Sequence, residues 1–190
     1  ARYLPQATVL VGCDIDPKCA AIAFRDPRIR VVVGDVNTEQ AYRAIRDLAP
    51  GFDVFIDDGS HTSRDIVLTF CNYFRHVNAG GTYVVEDLHC SYEPRWGGGI
   101  DRGDTSMEFL KLLADFVNQP YWQRDREPMT LLAPFFPDGA RPDLAAFRDI
   151  ASVTFCDSMC VVEKRAHGAV AGLGERVVVG TDASVSTDPL

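Results

Sequence analysis

The segment Phe52-Asp53-Val54-Phe55-Ile56-Asp57-Asp58-Gly59-Ser60-His61 decides the fold. Its short apolar run, Val54 to Ile56, lies between turn-forming residues. It ends abruptly in two carboxylates, a glycine, a hydroxyl and an imidazole, the pattern of a buried strand running into a polar turn. Ile66, Val67, Phe70, Phe74 and Val77 follow at helical spacing. Strand, turn and helix in that order put the polar cluster beyond a strand's carboxyl end, where open α/β sheets gather ligands. A second apolar run, Tyr83-Val84-Val85, ends in Glu86-Asp87. Neighbouring strands would bring Asp57, Asp58, His61, Glu86 and Asp87 to one rim, and an oxygen-rich cluster of that kind suits a hard divalent cation. One acidic residue there has an ordinary explanation, because Asp after a strand caps a helix or makes a turn. Two acidic pairs and a histidine at matching strand ends point instead to a functional site.

Outward from this segment, strands and helices alternate. Thr8 to Val11 reads as a strand, preceded by what looks like the end of a helix (residues 1–6) and closed by Cys13-Asp14-Ile15-Asp16-Pro17. Asp16 suits a helix cap and Pro17 a first turn, and the helix is expected through Ala20, Ala21, Ile22 and Phe24. Asp14 is placed where nucleotide-binding α/β folds hold a ribose diol, and equally where a turn carboxylate belongs. Ile29 to Val33 is the next strand and ends in Gly34-Asp35. Asn37, with Gln40 three residues on, then predicts a capping box before the helix of Ala41, Ala44, Ile45 and Leu48. The alternation calls for a mostly parallel sheet with right-handed crossovers. The helix after the central turn is predicted over 62–77, with Gly80-Gly81 as its left-handed cap. Residues 88–104, with Tyr92, Trp96 and three consecutive glycines, form a long loop of the kind used as a lid or binding loop. A helix is predicted over 106–118. Apolar runs at 150–155 and 159–163 around Asp157-Ser158 predict an antiparallel hairpin. Residues 119–142 carry no clear pattern. From Arg165 the composition becomes that of a tail, in which Arg176 to Val179 alone could make a strand. The domain is thus residues 1–164 and the tail 165–190.

At 190 residues the chain is long enough for one domain with a sizeable core. A formal net charge of −8 with no basic stripe argues against nucleic-acid partners. No apolar run approaches the roughly 20 residues that cross a bilayer. The six cysteines show no C-x-x-C pairing, which fits reduced thiols in a cytoplasmic protein.

The succession Val11 to Pro17, Gly34-Asp35, Phe52 to His61 and Gly80 to Asp87 resembles class I S-adenosylmethionine-dependent methyltransferases. Ile56-Asp57-Asp58-Gly59-Ser60-His61 and Val85-Glu86-Asp87-Leu88 are similar to metal-dependent macrolide sugar O-methyltransferases. The resemblance covers residues 7–164. Its acidic-histidine motif is fairly specific, whereas Asp14 and Gly34-Asp35 are generic to the class. It implies a Rossmann-like, mostly parallel sheet with an antiparallel C-terminal hairpin, whose first strand lies before Ala1 together with the glycine-rich cofactor loop and one more acidic metal ligand. It implies Asp58 and Asp87 as magnesium ligands, with Glu86 as a further ligand or an orienting neighbour, and His61 as general base. Asp14, Asp35 and Asp57 fall to the S-adenosylmethionine side, with Asp14 on the ribose and Asp35 or its neighbour on the adenine. The partners it implies are a sugar-containing acceptor and further copies of the chain.

The chemistry also fits without the family. A cation binding two adjacent hydroxyls lowers their pKa and fixes their geometry, and a histidine in hydrogen-bond reach takes the proton. Other acceptors (a rhamnosyl lipid, a polyketide, a catechol) satisfy the same chelation. A nucleotide-binding scaffold that keeps the fold without the reaction is the alternative from another class. A dehydrogenase lacks its G-x-G-x-x-G.

Overall fold

The structure is a computed structural model that describes residues 1–122, 127–139, 142–169 and 172. Its centre is the parallel pair β3 (Phe52–Asp57) and β4 (Val77–Val85), in which Phe55 faces Tyr83 and Asp57 faces Val85. The predicted adjacency therefore holds, and both acidic strand ends open on one rim. The hairpin of β5 (Ile150–Cys156) and β6 (Met159–Lys164) adds two antiparallel strands, giving the order β3-β4-β6-β5. β1 (Leu10–Asp14) and β2 (Ile29–Val33) pair in parallel as a separate two-stranded sheet. The far edges of β1 and β3 pair with no strand among the described residues.

Helices α1 (Glu39–Leu48), α2 (Ser63–Tyr73) and α3 (Ser106–Val117) pack around this frame, and a short α4 spans Pro128–Leu132. α2 buries Ile66, Val67, Phe70 and Tyr73, and α3 buries Phe109, Leu110, Leu113 and Phe116. Aromatic rings make the junction: Phe55 stacks on Tyr83 at 4.8 Å between centroids, and Phe70 meets Tyr83 and Phe109 edge-on. Each such pair contributes about 0.5–1.5 kcal/mol beyond the area it buries. Phe55 and Tyr83 share this packed face. Val54 and Ile56, which alternate with Phe55, remain 47% and 55% exposed, so β3 is covered on one face only instead of being wholly buried.

Several predicted elements change. Residues 1–9 form no helix; the Arg28 guanidinium, paired with Asp26 at 2.7 Å, holds them by donating to the carbonyls of Leu4, Pro5 and Ala7. Asp16 does cap and Pro17 does open a helix, but only the 3₁₀ turn Pro17–Ala21 forms, and Ile22 and Phe24 lie exposed beyond it. Thr38, not Asn37, caps α1, by accepting from the Ala41 N–H; the Asn37 amide instead bonds Thr69 of α2. The helix predicted to reach Val77 gives way to a 3₁₀ turn at 74–76, because β4 already starts at Val77. Gly80 and Gly81 lie inside β4, where the pairing register with β3 shifts, and are no helix cap. Gly80 sits at φ 78°, and a Cβ on Gly81 would come within 2.8 Å of the Asp53 carbonyl. The possible strand at 176–179, and most of the tail, lie outside the described residues.

Candidate active site

Asp58, His61 and Asp87 converge at the rim of β3 and β4. One ligating atom from each lies within 4.8 Å of the other two. Asp58 follows β3 directly, and Gly59-Ser60 turn the chain so that His61 comes back over the strand end. Thr62 then caps α2 by accepting from the Asp65 N–H, and Ser60 Oγ donates to the Asp65 carboxylate at 2.5 Å. Asp87 follows β4 by two residues. His61 has φ 57° and Asp87 φ 54°, left-handed conformations that cost non-glycine residues of order 1 kcal/mol or more. The third such residue among those described, Ser158, bonds the His89 ring at 2.8 Å across from Asp87. His61 and Asp87 belong to the cluster itself, whereas Ser158 lies in the two-residue turn between β5 and β6, where a positive φ is ordinary. At His61 and Asp87 neither helix nor strand formation requires this conformation, and both side chains reach the cluster from it.

His61 Nε2 is 3.8 Å from one Asp87 oxygen and His89 Nδ1 is 3.8 Å from the other. These are ion-pair separations, too long for hydrogen bonds. No hydrogen bond among the described residues ends on the carboxylate of Asp58 or Asp87, so both keep their lone pairs for a cation. Hard carboxylate oxygens suit magnesium, which needs one or two of them and fills its remaining positions with water and substrate. The imidazole is a softer donor, better suited to zinc, copper or iron. The donor set therefore fits magnesium on Asp58 and Asp87 with His61 beside it. Glu86 does not join the cluster; its N–H bonds the Asp57 carbonyl.

Asp57 points away from this cluster into the interior, 6% exposed, and accepts from the Tyr83 hydroxyl at 3.3 Å. Burial pushes its carboxyl up to about 7, against the Tyr83 hydroxyl and the Gly59 amide, which favour the charged form. It lines a cavity together with Cys13, Asp14, Gly34, Asp35, Asp58 and Gly59, which brings the three acidic residues expected on the cofactor side to one wall. Asp14 and Asp35 both also make turns, accepting from the N–H groups of Asp16 (2.7 Å) and Asn37 (2.9 Å). A second opening lies past Asp87, between Leu88, His89, Tyr92, Met107, Lys111, Phe155 and Ser158. Sequence reasoning missed Ser158, Lys111 and Phe155 there, because only the folded hairpin and α3 bring them to β4.

No protein-family model matches the chain. It is 35% identical over 178 residues to the 8-demethyl-8-α-L-rhamnosyl tetracenomycin-C 2'-O-methyltransferase of Streptomyces olivaceus, which covers 92% of this chain and 43% of that protein. It is 39% identical over 93 residues to the mycinamicin VI 2''-O-methyltransferase of Micromonospora griseorubida, covering 47% and 23% of the two chains. Among solved structures it is similar to the MycE methyltransferase of the mycinamycin biosynthetic pathway in complex with Mg and SAH. The TM-score is 0.66 and the identity 30%, over 84% of this chain and 38% of that one. MycE has also been solved with mycinamycin VI bound. The chain spans less than half the length of the relatives it matches.

Proposed function

This chain is a relative of the macrolide sugar O-methyltransferases and has the class I S-adenosylmethionine-dependent methyltransferase fold, and from that premise we propose that it moves a methyl group from S-adenosylmethionine to a sugar hydroxyl of a natural product. The observation that carries this reading is the convergence of Asp58, His61 and Asp87 beside the cavity walled by Asp14, Asp35 and Asp57. When bound, a divalent cation on Asp58 and Asp87 makes an adjacent sugar hydroxyl more acidic and fixes which oxygen faces the methyl group. His61, next to both carboxylates, takes the proton. Asp14 holds the ribose hydroxyls of the methyl donor and Asp35 its adenine side. Asp57, buried and bonded to Tyr83, shapes the wall between donor and cation. The opening lined by Tyr92, Met107 and Phe155 takes the apolar body of the acceptor.

The placement of His61 inside the three-residue cluster also supports a second role for it, as a metal ligand. Magnesium's preference for oxygen favours the base. We further propose that residues 1–164 form the methyltransferase unit and that another strand of the full-length protein fills the open edges of β1 and β3. Its six free thiols suit a reducing cytoplasm, and the exposed Val54, Ile56, Ile22 and Phe24 suit a homo-oligomer or cover by the rest of the polypeptide. No helix among the described residues is long and apolar enough to cross a membrane.

The experiment is calorimetric titration of the full-length protein with S-adenosylhomocysteine, followed by methyl transfer to a rhamnosylated polyketide with magnesium or with chelator. Cofactor binding with magnesium-dependent transfer is expected. A protein that binds the nucleoside but transfers nothing in magnesium is a scaffold, and the catalytic reading fails.

A further inference from the structure

We propose that Trp96 is the positioning residue of His61, an aromatic wall that fixes the plane of the imidazole; the kinetic part of this inference rests on the methyl-transfer reading above. No hydrogen bond among the described residues holds the His61 ring, and its Asp87 neighbour stands off at 3.8 Å. The imidazole is nonetheless well enclosed, its side chain 21% exposed. The Trp96 ring is its aromatic neighbour, with centroids 5.9 Å apart and planes at 78°, an edge-on contact that ties the tilt of one ring to the other.

The loop that carries Trp96 is built to present it. Two 3₁₀ turns, Leu88–Tyr92 and Pro94–Trp96, are closed by backbone bonds from Trp96 N–H and Gly98 N–H to the Glu93 carbonyl, and from Gly99 N–H to the Ser91 carbonyl. Gly97 takes φ 71°, and a Cβ on Gly98 would overlap the Ser91 carbonyl, so this path needs glycine at both positions. Ser91 is anchored in turn through Ser106 Oγ at 2.5 Å. Arg95, paired with Glu93, lies 5.3 Å from the indole centroid. The indole Nε1 is buried with no hydrogen-bond partner. The ring is therefore not held by its own polar group; the backbone puts it against His61 at the cost of an unmet donor. A base must keep one nitrogen facing the acceptor through each turnover, and a misplacement of about 1 Å can cost roughly 100-fold in rate. An imidazole with no hydrogen bond of its own needs such a wall.

Trp96→Ala and Trp96→Phe in the full-length protein test this. Trp96→Ala should lower kcat by roughly 10–100-fold with the KM of the acceptor and the magnesium requirement unchanged. Trp96→Phe keeps an edge-on ring, drops the unmet N–H, and should recover most of the rate. A Trp96→Ala enzyme with wild-type kcat overturns the proposal. So does a Trp96→Phe enzyme with a raised acceptor KM, which would make the indole N–H a substrate contact. A second readout needs neither substrate nor turnover. Subtracting the emission of the Trp96→Phe protein from that of the parent isolates the contribution of Trp96. His61→Ala should change that emission, and an unchanged spectrum overturns the contact. If the wild type transfers no methyl group while the emission responds, the functional reading has failed and the positioning contact stands.

Discussion

Two strand-end rims in this molecule carry the same sequence signal and use it differently. At the ends of β1 and β2, Asp14 and Asp35 spend a carboxylate oxygen on the backbone two residues ahead, as turn-forming aspartates do. At the ends of β3 and β4, Asp58 and Asp87 accept no such bond among the described residues, and the backbone near them takes left-handed conformations that bring a histidine over the carboxylates. An aspartate after a strand therefore says little by itself. What separates the rims is whether local hydrogen bonds already occupy the carboxylate and whether the chain carries strain to aim it.

The largest effect should come from the unspent rim. Asp58→Ala or Asp87→Ala should lower magnesium-dependent transfer by on the order of 10³-fold, since the cation these residues would hold would take several kcal/mol off the barrier. Circular dichroism and melting temperature should stay near wild type, because neither side chain fills the core. If either variant keeps full activity in chelator, the two rims do not differ as described. The rim that makes turns should show a smaller and mixed effect. Asp14→Ala removes a turn bond and, on the proposed function, a ribose contact, so S-adenosylhomocysteine affinity should fall by roughly 10-fold, about the worth of a charge-assisted hydrogen bond, with a small loss of stability. A stability loss without any loss of affinity would reduce Asp14 to a turn residue and sharpen the contrast.

The smallest effects concern pH, one at His76 away from both rims and one at Asp57, the buried carboxyl at the end of β3. His76 accepts or donates a 2.6 Å bond with Tyr42, and burial, then Arg46, Arg75 and Lys164, push its pKa down to about 4 from 6.5. The fold favours the neutral ring, so this contribution is complete above about pH 6.5 and is lost as pH falls toward 4. Melting temperature should decline through that window, and His76→Gln should flatten the decline. Asp57 has the opposite sign. Its raised pKa means that the fold favours the protonated carboxyl, so this contribution is complete below about pH 3.8, is lost as pH rises toward about 7 and changes no further above it. Asp57→Asn should remove that dependence in thermal melts from pH 4 to 8, whereas an Asp14 or Asp35 variant should leave it in place.

Much of this was legible in the sequence where one residue's neighbours in the chain settle its surroundings. Ile29 to Val33, the β5–β6 hairpin and the pairing of β3 with β4 followed from apolar periodicity and turn residues alone. The sequence puts the cap of α1 one residue early because Asn37 and Thr38 are both good caps, and only the folded contact with Thr69 draws Asn37 away. The start of β4 is hidden in the sequence because Gly80-Gly81 looks the same as a helix terminator and as a break in strand register. The Asp58, His61, Asp87 cluster was legible from two strand ends. Trp96 against His61, and Ser158 against His89, depend on where distant segments fold, and no local pattern announces them.

The central claim is that Asp58 and Asp87 hold the cation while His61 works beside it as the base. Magnesium titration of the full-length His61→Ala variant, set against its turnover, tests this most directly. The account predicts magnesium and S-adenosylhomocysteine affinities close to wild type, with turnover lowered by roughly 10²–10⁴-fold. Magnesium affinity that collapses in His61→Ala as it does in Asp58→Ala would make the histidine a ligand and contradict the assignment.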